Sequence, residues 1–369
     1  MKHVIAIVDA NTSHSLAVAE ALAASYTVHT YDSVMNALSG ISITSPKVIL
    51  VGQKVGAGSG ALFIKDLRKD QFLARIPVIF IADSEDFRIV DQLREIGIRD
   101  RLVKPYSRKA LMALISGHIN GHVELAWQDL PSNQRKALES SLNSFNSIAE
   151  ELAKGRPLPY QDIAESCSAV VEVVHSKELG SLLDQIKEHD NFTYVHSLRF
   201  AALMSMFGSA IGLPREQQVL VASGGMLHDI GMMTIPKSIM QKQGTLTPSE
   251  WDLVHNHVTT SEKVLATCSS IPKGVATIVK HHHERLDESG YPRHLSGRDL
   301  NQLARMAAII DVFCGLTDRR PYKRTMAPHV ALEMMAKEMN GQLDLELLYK
   351  FKEILLDTLV FPLNGEAAQ

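Results

Sequence analysis

Leu227-His228-Asp229-Ile230-Gly231 closes a stretch opened by Pro214 and carried through Val219, Leu220 and Met226, whose apolar residues recur at helical spacing before Gly231 supplies a stop. An imidazole and a carboxylate side by side at a helix end can serve two metal ions, the carboxylate bridging them through its two oxygens. The dipeptide alone is common, so its meaning depends on the neighbouring helices. From Gln161 onward the pattern is almost wholly helical, without internal repeats, and predicts an all-α second domain.

Working outward, His196 shares a stripe with Phe192, Phe200, Leu203 and Phe207, so it is either a core histidine bonded to a carbonyl or a ligand. Thr247-Pro248-Ser249-Glu250 is a capping-box pattern that opens a helix carrying His257 near the apolar side of Trp251, Val254 and Val258. His255 points about 200° away and is expected in solvent. In His281-His282-His283 the spacing Val275, Ile278, Val279, His282 puts His282 on the buried face, His283 close to Val279, and His281 outside. Asp311 interrupts the apolar run Leu303, Met306, Ala307, Ile310, Val312, Phe313, where an unpaired carboxylate is very costly and needs a metal or a salt bridge.

The first third alternates short β-rich runs (Val4 to Val8, Tyr26 to Tyr31, Lys47 to Val51, Pro77 to Ile81, Arg101 to Val103) with amphipathic stretches, which predicts a doubly wound parallel α/β sheet. Residues 119–157 read as a helical linker broken at Gly155-Arg156-Pro157-Leu158-Pro159. The expected division is therefore 1–118, a helical linker 119–157, and a helical domain 158–369. At 369 residues and 45% hydrophobic the chain is long enough for two cores, and no apolar run approaches the length of a membrane span. Its start reads as a first strand rather than a signal peptide, so the mature protein is expected to begin there. The three cysteines, Cys167, Cys268 and Cys314, lack disulfide or zinc-knuckle spacing, which points to a reducing cytoplasm. A net charge of -3 gives no global attraction to duplex nucleic acid or to an anionic membrane.

The order of the first domain, with Lys104-Pro105 after its last strand, resembles the receiver domain of bacterial response regulators. Where that family has an acidic pair, a phosphate-accepting Asp and a Thr or Ser, this chain has Asp9-Ala10, Gly52 and Ala82, so it is expected to be a pseudo-receiver. Lys104 is then a surface or strand-end residue, and Gly56-Ala57-Gly58-Ser59-Gly60 a flexible loop rather than a phosphate cradle.

In the second domain the order His196, His228-Asp229, His257, His282-His283, Asp311 resembles the HD-domain metallohydrolases. Ile235-Pro236, His282-His283-Glu284, Asp287-Glu288-Ser289-Gly290-Tyr291-Pro292, Asp311-Val312 and Arg320-Pro321-Tyr322-Lys323 narrow the resemblance to the HD-GYP subfamily, over about residues 170 to 355. It implies hydrolysis of cyclic di-GMP to the linear dinucleotide, with onward cleavage to GMP open, by a water bridging two divalent metals. Iron is the first expectation, with manganese next. One metal would take His196, His228, Asp229 and Asp311, the other Asp229, His257, His282 and His283, with Asp229 the catalytic bridge. Arg320 and Lys323 would meet substrate phosphates, and Tyr291 would shape the site or pack as a lid.

Three positions depart from the pattern: Met232 replaces a lysine that would act as general acid or phosphate contact, Phe192 replaces a Glu that would hold a third metal, and Cys314 replaces the second acid of D-x-x-D. The alternative function is a weakened module that senses a cyclic dinucleotide or docks a partner. The implied partners are cyclic di-GMP or a related cyclic dinucleotide, a protein docking on the pseudo-receiver, and a second copy of this chain.

Overall fold

The computed structural model describes residues 3–23, 26–236, 239, 242, 244–268, 270–318 and 325–358. They divide into two compact units, residues 1–125 with 241–243, and residues 126–240 with 244–369.

The first unit is a five-stranded parallel sheet in the order β2-β1-β3-β6-β7, made of β1 (Val4–Val8), β2 (Thr27–Tyr31), β3 (Val48–Gly52), β6 (Val78–Ala82) and β7 (Arg101–Val103). The central strands are nearly continuous apolar runs because both of their faces are covered. Alternate residues feed two cores. Ala6, Val8, Ile49, Val51 and Phe80 meet α2 (Val34–Thr44) and α3 (Gly60–Leu67), while Ile5, Ile7, Leu50, Ile79 and Ile81 meet α1 (Thr12–Leu22) and α5 (Arg108–Ala126).

The sheet's C-terminal edge differs in detail from the sequence reading. A Cβ on Gly52 would lie 2.4 Å from Asp9 Cγ, so the position of the missing nucleophile is filled by the Asp9 side chain. Asp9 bonds His14 Nδ1 at 2.8 Å and the Asn11 amide at 2.9 Å, and His14 Nε2 reaches the Tyr106 hydroxyl at 2.7 Å. Lys104 is not a free surface lysine: its Nζ lies 2.9 Å from Asp83 Oδ1 and 3.6 Å from Asp9 Oδ2. The glycine-rich stretch is not a loop throughout either, since β4 (Lys54–Val55) and β5 (Gly58–Ser59) pair into a hairpin. Gly60 is required where it stands, because a Cβ there would fall 2.0 Å from the Gly52 carbonyl oxygen.

The second unit is helical among the described residues. The expected linker is two helices: α5 runs on to Ala126, and α6 (Ser132–Ala153) belongs to the second unit, where Ala137, Leu138, Phe145 and Ile148 are buried. Polar surface residues on α6 gave it the look of a linker, but its apolar stripe needs a neighbour. Next come α7 (Tyr160–His175), α8 (Leu179–Ile186), α9 (Phe192–Ala210) and α10 (Arg215–Leu227). Helix α9 is apolar nearly all round and sits at the centre, with every residue from Phe200 to Gly208 buried. Helix α10 crosses it closely because of Gly225, where a Cβ would lie 2.7 Å from Ala201 Cα. Gly224 does the same toward Ile278 on a later helix. This backbone approach carries His228, just past the end of α10, against His196 of α9.

The helix capped by Thr247 is shorter than the sequence suggests. Its capping box is formed, but α11 (Pro248–His255) ends at Asn256, and His257 opens a separate helix, α12 (His257–Ala266). There follow α13 (Lys273–His281), α14 (Gln302–Thr317), α15 (Pro328–Glu338) and α16 (Leu345–Thr358). No helix of the described residues is long and apolar enough to cross a membrane.

Candidate metal centre

Three histidines stand just beyond helix ends and use their rings in the same way. His228 Nδ1 faces the Gly225 carbonyl at 2.7 Å, His257 Nδ1 the Val254 carbonyl at 2.5 Å, and His282 Nδ1 the Val279 carbonyl at 3.0 Å. Each carbonyl lies three residues back, in the last turn of the preceding helix, where it lacks an intrahelical partner. A carbonyl only accepts, so Nδ1 carries the hydrogen and Nε2 is left with an inward lone pair. His196, inside α9, faces the Asp318 carboxylate with Nδ1 at 2.6 Å and likewise turns Nε2 inward.

Those four nitrogens form two pairs around one carboxylate. His196 Nε2 and His228 Nε2 are 3.0 Å apart, and each lies 3.5 Å from Asp229 Oδ2. His257 Nε2 and His282 Nε2 are 3.4 Å apart, at 3.0 and 3.5 Å from Asp229 Oδ1. Asp229 Oδ1 is buried without a hydrogen bond. Asp311 Oδ2 lies 3.0 Å from His283 Nδ1.

The donors fall into two clusters, Asp229 with His257, His282 and His283, and His196 with His228 and Asp311, the atoms of each within 4.8 Å of one another. All seven side chains selected from the sequence are thus brought to one place. Facing lone pairs about 3 Å apart repel unless something positive sits between them. Donor atoms at this spacing suit bonds of about 2.0–2.2 Å to a shared transition-metal ion. The residues present therefore fit a two-metal group.

Electrostatics agree with that fit at His228, His283 and the two carboxyls, and run against it at His257. Burial, reinforced by His282 and His196 and opposed by Asp229, pushes His228 down to about 3, and burial with His282 pushes His283 down to about 4. Both are neutral, as ligands must be. Burial alone would raise Asp229 and Asp311, but the surrounding imidazoles outweigh it and hold both carboxyls well below the usual carboxylate range. Burial would also lower His257, yet the adjacent Asp229 raises it.

Gly231 closes the His-Asp turn tightly, because a Cβ there would meet the His257 carbonyl oxygen at 2.1 Å. Beyond the cage, Tyr291 packs as a wall. Its ring stacks on His283 at 4.6 Å and on His255 at 4.2 Å, both at 27°. His255 is therefore not simply in solvent: it is half-buried and backs the tyrosine. Glu284 is fully buried and pins this loop, accepting from the amides of Arg293 at 2.8 Å and Leu295 at 3.0 Å. A Cβ on Gly290 would fall 2.4 Å from the Arg285 amide nitrogen, which explains the glycine before Tyr291.

Met232 is partly buried in the 3-10 turn Ile230–Thr234, directly after the His-Asp pair. Arg320 and Lys323 lie outside the described residues. The sequence reading missed Arg285, whose Nη2 lies 3.7 Å from Asp311 Oδ2, and the pair Asp318 and Arg199 behind His196. One signal for Asp318 was available: it is seven residues after Asp311 and so on the same helical face.

A five-stranded parallel sheet in the first unit, and imidazoles and carboxylates that converge between helices in the second, define a two-domain chain whose helical part carries a histidine–aspartate cluster fit to hold metal. Residues 181–347 match the HD domain family and residues 5–116 the response regulator receiver domain. The chain joins a receiver domain to an HD domain, consistent with the HD-GYP resemblance.

Its relatives include a cyclic di-GMP phosphodiesterase of Pseudomonas aeruginosa, 37% identical over 183 residues, which are 50% of this chain and 44% of that protein. A 3'3'-cGAMP-specific phosphodiesterase of Vibrio cholerae is 31% identical over 271 residues, 72% of this chain and 60% of that one. The cyclic di-GMP phosphodiesterase response regulator RpfG of Xanthomonas campestris is 27% identical over 317 residues, 85% of this chain and 77% of its own length. The chain thus spans about half the length of the first two relatives.

Proposed function

We propose that this chain is a metal-dependent phosphodiesterase that opens a cyclic dinucleotide, cyclic di-GMP first, to the linear dinucleotide. The observation that carries the reading is the arrangement of four Nε2 atoms in two close pairs, one pair on each oxygen of Asp229. Two divalent transition metals, iron or manganese, would supply acidity to water and polarise the phosphodiester when bound. His196, His228 and Asp311 would hold one and His257, His282 and His283 the other, with Asp229 common to both.

The chain's own residues do the rest. Helix-end carbonyls and Asp318 fix the imidazole rings, so little reorganisation accompanies reaction. Tyr291, backed by His255, walls the site against bulk water. Arg285 places a cation beside Asp311, and Arg320 and Lys323 would neutralise substrate phosphates. Met232 can neither donate a proton nor bind phosphate, so leaving-group protonation falls to solvent and turnover is slow.

That methionine also favours a second reading, a module that binds the nucleotide and passes the signal to a partner through the pseudo-receiver. Relatives named for cyclic di-GMP and for 3'3'-cGAMP leave two substrates to compare. The test is metal analysis of the chain purified without chelator, paired with product analysis on both nucleotides. Two metals with linear product support the enzyme; tight nucleotide binding without product supports the sensor; absence of metal refutes the proposal.

A further inference from the structure

Three of the four inward-facing imidazoles get their orientation from a helix-end carbonyl, and His196 cannot. It lies inside α9, where backbone carbonyls are already taken by amides four residues on. Its Nδ1 instead meets Asp318 Oδ2 at 2.6 Å, from the residue that caps α14 and is 122 positions away in the chain. The other oxygen of Asp318 accepts from Arg199, which is three residues after His196 on α9 and also lies over the Phe313 ring. Cys314, buried one turn before Asp318, completes a cluster whose donor atoms with His196 and Asp318 lie within 4.8 Å of one another.

That cluster invites a reading as a further metal site, and Arg199 argues against it. The guanidinium is bonded to one Asp318 oxygen, so the pocket already holds one fixed cation for one carboxylate. A dication there would face an unneutralised like charge in a buried setting, which is strongly unfavourable. The thiol is also the wrong residue for an oxygen- and nitrogen-preferring ion.

We propose that Asp318, anchored by Arg199, is the positioning residue for His196, fixing its tautomer and ring plane and strengthening its Nε2 as a ligand. This rests on the metal-centre reading above. Cys314 stands where the resemblance expects an acid, and the acid that reaches His196 stands one turn further on. A carboxylate behind a metal-bound imidazole typically changes metal affinity 10–100-fold.

The test uses the full chain and Mn²⁺ alone, with affinity at both sites measured by titration against a competing chelator. Asp318→Asn keeps the shape and an oxygen facing Nδ1 but removes the charge. It should weaken one Mn²⁺ site by about 10–100-fold and leave the other unchanged, and Asp318→Glu should recover part of the loss. Unchanged affinity at both sites in a folded Asp318→Asn chain overturns the assignment while leaving the metal centre intact. A wild-type chain that binds no Mn²⁺ overturns both.

A second measurement needs no variant. The Co²⁺-loaded wild type should show no thiolate-to-cobalt charge-transfer band, and appearance of that band would make Cys314 a ligand and overturn the assignment.

Discussion

Replacing Asp229 with Asn tests the centre most directly, because the change is nearly isosteric and removes one charge from between two ligand pairs. Oδ2 lies 3.5 Å from the His196 and His228 nitrogens, and Oδ1 lies 3.0 and 3.5 Å from those of His257 and His282. At an effective dielectric of about 20, a unit negative charge about 4 Å from a unit positive one is worth about 4 kcal/mol. Counting only one unit of a metal's charge, that is about a thousandfold in affinity at each site. Asp229→Asn should therefore emerge from chelator-free purification with well under one metal per chain, where the wild type carries two, and with no hydrolysis of cyclic di-GMP. Elemental analysis beside circular dichroism separates metal loss from unfolding. A folded Asp229→Asn chain that still holds two metals would refute the bridging role.

Met232→Lys should raise turnover on a cyclic dinucleotide, by as much as about 10²-fold, with little change in metal content; unchanged kcat would show that leaving-group protonation is not what limits the enzyme. In the first unit, Gly52→Asp should not restore phosphorylation by a small phosphodonor such as acetyl phosphate, since even a Cβ there would lie 2.4 Å from Asp9 Cγ; mass-spectrometric detection of the phosphoryl adduct would contradict this. His189, stacked on Trp127 and pushed down to about 4 by burial, stays neutral when folded. Its folded value lies below its unfolded one, near 6.5, so its contribution to stability is complete above pH 6.5 and is lost as pH falls toward 4, by up to about 3 kcal/mol. Urea unfolding at pH 7.5 and 4.5 should show a smaller pH-dependent loss in His189→Gln than in the wild type.

The sheet was legible because strands covered on both faces read as uninterrupted apolar runs. Val4–Val8 was expected with those limits, and Val48–Gly52 and Val78–Ala82 within one residue of theirs. The side chains that converge around Asp229 were legible for a different reason: an ionisable residue on an apolar stripe, such as His196, His282 or Asp311, conflicts with burial unless something compensates it. What escaped was set by geometry rather than composition. The break at Asn256 leaves no mark in 248–266, because helical periodicity continues across it, and the stack of His255 on Tyr291 follows from that break. Lys104 stands at the strand end, as expected, but its partners Asp9 and Asp83 come from other strand ends and left no mark in the sequence around it. Asp318 was passed over because a charged residue at a helix end is usually solvated, and Arg199, well inside α9, because nothing in its own helix marks a partner 119 positions away.

The positions of the imidazoles also explain why this centre is assembled from helix ends. A histidine within a helix has no free carbonyl for Nδ1, while one just past the last turn finds an unpaired carbonyl three residues back. His228, His257 and His282 use that partner, so their orientation comes from the backbone of their own helices. The break at Asn256 is what frees that contact: were α11 continuous through His257, the Val254 carbonyl would bond an amide further along instead of the imidazole. His196 is the exception, and it needs a dedicated carboxylate from a distant helix. Its orientation therefore depends on how α9 and α14 pack, whereas that of the other three is local. Substitutions in the α9–α14 interface, such as at Phe313 beneath Arg199, should disturb the His196 side of the cage before they disturb the His257 side.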